Sequence, residues 1–363
     1  MRRRWLIVGF LGLLLGSGCG HKAKTVAGPD QRVVTDMAGR QVVVPKKIHK
    51  VLAMSPMGTI LVYTLDPSLL AGWNYKPDPE ERAMLLESYR DLPVLGGWFG
   101  KDSVGNLETI IKAHPDVLIS MGDPLAQTSA LRVQEQIHIP VYILDGTLDR
   151  LPETYGKAAE LLGSEERAAL LANECRKTLQ EIKDKVGAIP PAKRRRYYYA
   201  EGLKGLETEP AGSAHSEALN FAGGINVAAT EEQKGYGHSP VSIEQVLQWN
   251  PDIIVTGYDH SSSPGQFYRS VGSDPRWSHV DAVRKHEIFE APQYPYSWID
   301  RPPSVNRMIG IKWLANLFYP DVFRYDMRSE TRNFYATFYQ VQLSDTQLDQ
   351  LLAAAARKPG KRN

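Results

Sequence analysis

The chain has 363 residues, enough for two ordinary domains, and its 43 lysines and arginines nearly balance 41 aspartates and glutamates. This balance argues against a nucleic-acid-binding protein, because such a partner selects a strongly basic surface. Apart from Cys19, the sequence has one other cysteine, Cys175. A disulfide framework is therefore excluded if Cys19 is modified, and Cys175, within a helical pattern, is predicted to be a packed core residue.

The N-terminus is typical of an export signal. Arg2, Arg3 and Arg4 precede an apolar run over residues 6–15, about half of the roughly twenty residues that a spanning helix needs. We therefore predict a cleavable signal over residues 1–18. The residues 16–19, Gly-Ser-Gly-Cys, resemble a bacterial lipoprotein signal, although Gly16 stands where a leucine is usual. This resemblance implies lipidation of Cys19 and a linker over residues 19–30, and the alternative is a plain secretory signal.

A weak internal repeat dominates the remaining chain. Residues 106–120 and residues 242–256 each begin with helically spaced apolar residues and a glutamate, stop at a Pro-Asp pair and continue as an apolar β-branched run. Proline disfavours helical backbone in the residue before it, which ends each helix, and the apolar run is typical of a strand buried on both faces. The spacing is too long for a solenoid and indicates two α/β lobes of the same design.

The segment between the two copies has the apolar spacing of one long helix with dense interleaved charge. A helix of about 30 residues would span roughly 45 Å and could bridge two lobes. We therefore divide the mature chain into an N-terminal lobe over residues 31–150, an interlobe helix over 151–188, a C-terminal lobe over 189–345, and a helix end with a basic tail over 346–363. The predicted fold is α/β, with two Rossmann-like lobes built on parallel sheets.

The sequence resembles a known family in the stretch over residues 33–45, in Ile48 and the strand over residues 51–55, and in the two glutamate-containing repeats. Together these features resemble the solute-binding proteins of ABC importers for siderophores, haem and cobalamin. The resemblance implies two lobes joined by one rigid helix, with a cleft that closes only slightly on its ligand. It also implies that Glu108 and Glu244, one per lobe, dock onto arginines of the transporter. The alternative is that each glutamate merely favours its helix dipole.

Ligands of such folds bind in loops at the carboxyl ends of parallel strands. The ligand-binding candidates in those loops are Ser55, Met57, Tyr75, Trp98, Glu201, His215, His238, Tyr294, Tyr296, Trp298 and Arg301. Tyrosine and histidine are good ligands for transition metals, and His238 and Tyr294 resemble the pair that completes a chelate's coordination in some family members. Tryptophan and arginine suit an anionic, partly flat complex. Each candidate also has a structural interpretation, such as helix capping for His215 or neutralisation by Asp300 for Arg301.

These features favour an extracytoplasmic receptor that delivers a metal chelate to a permease and its ATPase. A ferric siderophore is the leading solute, with haem, cobalamin or a nickel complex behind it, and a molybdate or tungstate oxyanion is the main alternative. A sensor lipoprotein and a periplasmic hydrolase are further alternatives. The sequence has neither a Gly-x-Ser-x-Gly elbow nor a phosphate-binding Gly-x-x-x-x-Gly-Lys motif, so we predict no enzyme. We also predict a monomer without a permanent cofactor.

Overall fold

The computed structural model describes residues 27–99, 105–122, 124–231, 237–257 and 265–355. The predicted signal, Cys19 and the basic tail beyond residue 355 lie outside these residues. Among the described residues, no helix combines the length and the apolar composition that crossing a membrane requires.

The strands are β1 Gln31–Thr35, β2 Gln41–Pro45, β3 Val51–Ala53, β4 Val117–Met121, β5 Val141–Leu144, β6 Arg196–Ala200, β7 Glu207–Thr208, β8 Ile225–Asn226, β9 Ser239–Pro240, β10 Ile253–Thr256 and β11 Ile288–Glu290. The α-helices are α1 Pro56–Leu65, α2 Pro79–Ala83, α3 Leu107–Ala113, α4 Pro124–Ile137, α5 Leu151–Leu162, α6 Glu165–Gly187, α7 Glu217–Phe221, α8 Ile243–Trp249, α9 Gln266–Ser273, α10 Asp281–Arg284, α11 Arg307–Phe318, α12 Met327–Phe334 and α13 Asp345–Ala355. Tyr335–Tyr339 is π-helical.

Two parallel sheets form the centres of two lobes. In the first lobe the strand order is β3-β4-β5, and in the second it is β11-β10-β6-β8. Strands β4 and β10 are buried along their whole length, as their continuous apolar sequences predict for strands covered on both faces. An antiparallel hairpin, β1-β2, precedes the first sheet. The predicted α/β fold with two parallel-sheet lobes is thus present.

The two repeat copies have the same local structure for the same physical reasons. Helices α3 and α8 each have an N-cap side chain that accepts a backbone hydrogen bond, and each ends in a left-handed residue, His114 or Asn250. The carboxylate of the aspartate in each Pro-Asp pair then accepts a hydrogen bond from a backbone N–H group where a neighbouring strand starts. Asp116 accepts from the backbone N–H of Lys50 at 2.9 Å, and Asp252 accepts from that of Arg196 at 2.9 Å. The repeated dipeptide therefore fixes how each helix enters its sheet.

The segment between the lobes forms two helices, so the prediction of one continuous helix over 151–188 is wrong. Helix α5 ends at Gly163, whose φ of 77° is left-handed, and Ser164 precedes the new helix α6. Glycine adopts this conformation without the steric cost that a Cβ imposes. Helix α6 alone, with 23 residues, is about 35 Å long and packs against α1 of the first lobe and α11 of the second. It still bridges the lobes, and Cys175 within it is fully buried as predicted.

The C-terminal segment crosses back onto the first lobe. The ring of Tyr339 packs against that of Tyr63, with centroids 5.7 Å apart. Arg167 on α6 donates to the carbonyl of Thr64 at 3.1 Å and to that of Thr337 at 2.5 Å. One continuous apolar core accordingly runs through both lobes, from the sheet of the first to that of the second. This shared core, together with α6, fixes the separation of the two sheets.

Candidate ligand site between the lobes

The carboxyl ends of the two sheets approach each other at a pair of loops. The backbone N–H of Leu148, after β5, donates to Glu217 Oε1 at 3.0 Å. Arg307 Nη2 donates to the carbonyl of Gly146 at 2.6 Å, and another nitrogen of the same guanidinium is paired with the second oxygen of Glu217. Arg307 is completely buried. These bonds join the lobes at the base of the region where strand-end loops face each other.

Arg301 is the centre of a charged cluster in the second lobe. Its Nε lies 2.7 Å from Glu201 Oε1, and its Nη2 lies 2.5 Å from Glu209 Oε1. Asp300 Oδ2 is 3.6 Å from the same Nε. All three carboxyl groups are buried, and Arg301 itself has a left-handed φ of 55°. The predicted ligand candidates Arg301 and Glu201 are therefore in direct contact, although 100 residues separate them.

The protonation of this cluster is shifted by burial and by its own charges. Burial raises the pKa of Glu201 to about 8, although the adjacent Arg301 opposes this change. Burial also opposes the charge of Arg301, but Asp300 and Glu201 outweigh it and raise the pKa of the guanidinium. Glu201 Oε2 is buried and has no hydrogen-bond partner, alone among the carboxylate oxygens of the described residues. One oxygen of Glu201 is thus bound by Arg301 and the other is available to a ligand.

Two histidines lie beside the cluster with about a quarter of each side chain exposed. His215 Nδ1 is 2.9 Å from Asp300 Oδ2. Burial lowers the pKa of His215, but the Asp300 carboxylate overcompensates, so the pKa lies above its ordinary value. His238 Nδ1 is 2.8 Å from Glu207 Oε2, and its backbone N–H donates to Glu209 Oε1 at 3.0 Å. The imidazole of His215 is therefore oriented by a carboxylate, as histidines that meet a ligand commonly are.

The first lobe contributes three predicted candidates. Ser55 precedes α1, and its hydroxyl is buried without a hydrogen-bond partner in the described residues. The backbone N–H of Trp98 donates to the carbonyl of Met54 at 2.6 Å, which brings the indole's loop next to the end of β3. Met57 reaches the interlobe loop, since a Cβ at Gly146 would lie 2.4 Å from its sulfur. Ser55, Met57 and Trp98 are thus neighbours at the carboxyl end of the first sheet.

The proline-rich segment after β11 differs from the prediction. Trp298 is fully buried, and its Nε1 donates to Tyr335 Oη at 3.2 Å, so it packs in the core here and its contact with a ligand stays a prediction. Tyr296 is also buried. Burial raises the pKa of its phenol, and the nearby Tyr75 raises that pKa further. Tyr75 in turn donates to Glu81 Oε1 at 3.0 Å. These aromatic side chains belong to the apolar core that the two lobes share.

The predicted metal pair of His238 and Tyr294 is held by different neighbours. Tyr294 packs against the shared core, and its carbonyl accepts from the hydroxyl of Tyr335, whereas His238 lies by Glu207. Among the described residues, no group of three or more histidine, cysteine, aspartate or glutamate side chains has the arrangement of a metal site. A direct role of either residue on a metal stays a prediction.

Comparison with known proteins decides the family. The family model described as periplasmic binding protein matches residues 64–295. The chain belongs to this family. A solved ABC transporter solute binding protein from Sulfurospirillum deleyianum is 31% identical, covers 89% of this chain and 99% of its own, and superposes with a TM-score of 0.82. The resemblance inferred from the sequence is confirmed.

Two curated relatives of this periplasmic binding protein have named ligands. The molybdate-binding protein MolA of Haemophilus influenzae is 24% identical over 337 residues, which cover 85% of this chain and 91% of MolA. The vitamin B12-binding protein of Vibrio cholerae is 25% identical over 263 residues, covering 71% of this chain and 85% of the relative. Their different ligands show that the family match does not by itself define the solute.

The two glutamates predicted to dock occupy equivalent exposed positions in this periplasmic binding protein. Glu108 lies in the first turn of α3 and pairs with Lys112 at 2.9 Å. Glu244 lies in the first turn of α8 and is 3.3 Å from Arg276. Both side chains are more than two-thirds exposed. Each carboxylate is therefore accessible to a partner at low cost, because exposed ion pairs contribute little.

The sequence did not indicate Glu209, which receives three hydrogen bonds at the cluster. It accepts from Arg301, from the backbone N–H of His238 and from Ser213 Oγ at 2.8 Å. A Cβ at Gly237 would lie 1.8 Å from Glu209 Oε1, so this glycine allows the segment before β9 to approach. A buried glutamate that follows a two-residue strand has no distinctive sequence pattern. The one local signal for this contact was Gly237 beside His238.

Proposed function

We propose that this periplasmic binding protein is the extracytoplasmic solute-binding subunit of an ABC importer and that its solute is a small metal complex. The observation that carries the proposal is the arrangement of the two sheets. Hydrogen bonds made by Leu148 and Arg307 join the two lobes beside the loops that follow their strands. These loops carry polar side chains, Ser55 in the first lobe and Glu201 and Arg301 in the second. The similar protein from Sulfurospirillum deleyianum, described as an ABC transporter solute binding protein, supports the same function.

Binding is favoured over catalysis by how the polar groups are used. Arg301 is held by two buried carboxylates, and His215 is held by Asp300. Glu201 and His215 therefore bind different charged partners. Groups fixed in this way recognise a preformed shape without reorganising, which is what tight recognition of one solute requires.

A metal complex is favoured over a bare ion by the ligand inventory. A protein site for a free transition-metal ion normally supplies three or four side chains, and the described residues offer no such group. A complex brings its own ligands and needs one side chain at most, and His215, whose Nδ1 is oriented by Asp300, is the candidate. Vitamin B12 and molybdate, the ligands in the names of the two curated relatives, both contain a metal. Molybdate is the second candidate because MolA is similar over more of the chain.

Delivery to the membrane completes the proposal. Glu108 and Glu244 are proposed to contact the permease, because each is exposed at the same position of its lobe's repeat. A lipid at Cys19 would keep the receptor at the bilayer, since a diacyl group gives nearly irreversible attachment. A permease that contacts both glutamates at once would also be sensitive to the distance between the lobes.

Native mass spectrometry with metal analysis, on protein purified from its own host, tests the proposed function. We expect an additional mass that contains a transition metal and is present in equimolar amount. A protein that carries no solute in any preparation, and whose deletion leaves the uptake of metal complexes unchanged, would contradict the proposal.

A further inference from the structure

Glu201 has a feature that the proposed function does not yet explain. It follows directly after β6, is 3% exposed, and gives Oε1 to Arg301 at 2.7 Å. Its Oε2 is buried with no hydrogen-bond partner among the described residues. Native proteins rarely leave a buried carboxyl oxygen unsatisfied, because the lost hydration is not recovered. An unsatisfied oxygen at a strand end that faces the other lobe is best explained by a hydrogen bond that a ligand completes.

The charges around Glu201 define what kind of ligand group can complete that bond. The titratable groups facing it are Arg301, Glu209, Asp300, Glu207, Tyr198 and Tyr199. Burial, reinforced by Glu201 itself, raises the pKa of both tyrosines, so neither carries charge near neutral pH. Within the described part of the chain, one guanidinium therefore faces several carboxyl groups. An anion placed here would meet carboxylates that already occupy Arg301, whereas a hydrogen-bond donor would meet an acceptor in the deprotonated form of Glu201.

We propose that Glu201 Oε2 accepts a hydrogen bond from the bound solute, and that the solute is accordingly a neutral or cationic metal complex bearing N–H or O–H donors, not an oxyanion or a polyanionic chelate. This inference rests on the proposed function of the chain as a solute receptor. It assigns Glu201 as a specificity-determining residue, because a solute without a donor at this position leaves the buried oxygen unsatisfied.

The same contact couples binding to a proton. Because burial raises the pKa of Glu201 to about 8, its carboxyl holds a proton at neutral pH in the unloaded protein. When the solute's donor arrives, the O–H bond of the carboxyl breaks, the proton leaves to water, and the electron pair stays on the oxygen to accept the new bond. A proton and the solute compete, so affinity rises with pH and levels off above the pKa. Between pH 6 and pH 8 the deprotonated fraction, and hence the affinity, rises by about 50-fold.

His215 contributes in the same direction, so the test must separate the two groups. Its pKa is raised by Asp300, and its protonated ring would repel a cationic solute at low pH. Replacing Glu201 with glutamine removes the titrating carboxyl and leaves His215 in place. Glu287 offers a matched control, because it forms a 3.0 Å ion pair with Arg195 in the same lobe, at the amino end of the sheet.

Isothermal titration calorimetry at pH 6 and pH 8, in two buffers of different ionisation enthalpy, tests the inference. The donor-bearing probes are cyanocobalamin and nickel(II) bis-histidine, which are neutral complexes with N–H donors. The other two probes are sodium molybdate and a trianionic ferric tris-catecholate. We expect a donor-bearing complex to release about one proton on binding at pH 6 and about half a proton at pH 8. In Glu201→Gln its affinity at pH 8 should weaken at least tenfold, with the pH dependence reduced to that of His215. Glu287→Gln should bind as the wild type does.

Binding of molybdate or the tris-catecholate in preference to both donor-bearing complexes would overturn the inference and leave the receptor function standing. Unchanged affinity and pH dependence in Glu201→Gln would overturn it as well. If Glu201→Gln does not fold, the number of protons that the wild type releases on binding, measured in the two buffers, tests the inference. Binding without proton release would contradict it. If no probe binds, the charge and the hydrogen-bond donors of the solute that the protein retains from its host test the inference. A protein that retains no solute contradicts both this inference and the proposed receptor function.

Discussion

Removing Arg307 tests whether the lobes are joined through a buried ion pair. Its guanidinium is completely buried and bonds Glu217, the carbonyl of Gly146 in the other lobe and the carbonyl of Ser304 at 3.1 Å. Arg307→Met fills a similar volume but leaves Glu217 and the Gly146 carbonyl without this donor. Breaking a buried pair by removing one partner costs about 3–5 kcal/mol. Because Glu217 is about a quarter exposed and keeps its bond from Leu148, we expect a loss at the lower end, about 3 kcal/mol.

Urea unfolding, followed by tryptophan fluorescence, measures this loss of stability. Burial raises the pKa of Glu217, and loss of Arg307 raises it further, so protonation relieves the unpaired charge. The deficit of the variant should therefore shrink as the pH falls from 7 to 5. The double variant Arg307→Met/Glu217→Leu should recover most of the stability, since an apolar pair can replace a buried ion pair. A loss below about 1 kcal/mol, or one that does not depend on pH, would refute the role of the pair.

Three further predictions follow from individual contacts. Glu108→Arg and Glu244→Arg should each abolish transport in cells and leave the solute affinity unchanged. The free energy of unfolding should shift by less than about 0.5 kcal/mol, as it does for most surface substitutions. Reduced solute affinity in either variant would argue against docking. Gly237→Ala should destabilise by about 1–3 kcal/mol, because φ is 68° and the new Cβ would lie 1.8 Å from a buried carboxylate oxygen. Gly156→Ala, in a helix with nothing within 4 Å of the new Cβ, should instead stabilise by about 0.5–1 kcal/mol, and equal melting temperatures for the two variants would contradict this contrast. Trp298→Phe should lower the melting temperature and leave solute affinity unchanged, and a weaker affinity at equal stability would return Trp298 to the cleft.

The duplicated architecture was predictable because its signals are local. Each copy of the repeat carries an N-cap, an apolar helix, a left-handed stop and a Pro-Asp pair whose aspartate caps the next strand. The break in the interlobe segment also has a local signal, although the apolar spacing led us to predict one continuous helix. Gly163 is a frequent C-terminal stop, and Ser164 followed by Glu165 and Glu166 is a frequent helix start.

The candidate site was predictable in part. Glu201 and Arg301 were found because each stands in a loop of the expected edge, but their contact joins residues 100 positions apart and has no sequence signature. The burial of Trp298 was not predicted, because a proline-rich aromatic segment usually forms an exposed loop. Here that segment fills the space between two lobes, and such a packing role depends on Tyr335 and other residues far along the chain.

The central claim, that the region around Arg301 holds a metal-containing solute, is tested most directly by native mass spectrometry of three proteins purified from the host. These are the wild type, Arg301→Met and the control Glu287→Gln. We expect the wild type and the control to carry one additional metal-containing mass and Arg301→Met to lose it while remaining folded. The same mass on folded Arg301→Met, or no metal in the mass carried by the wild type, would contradict the claim.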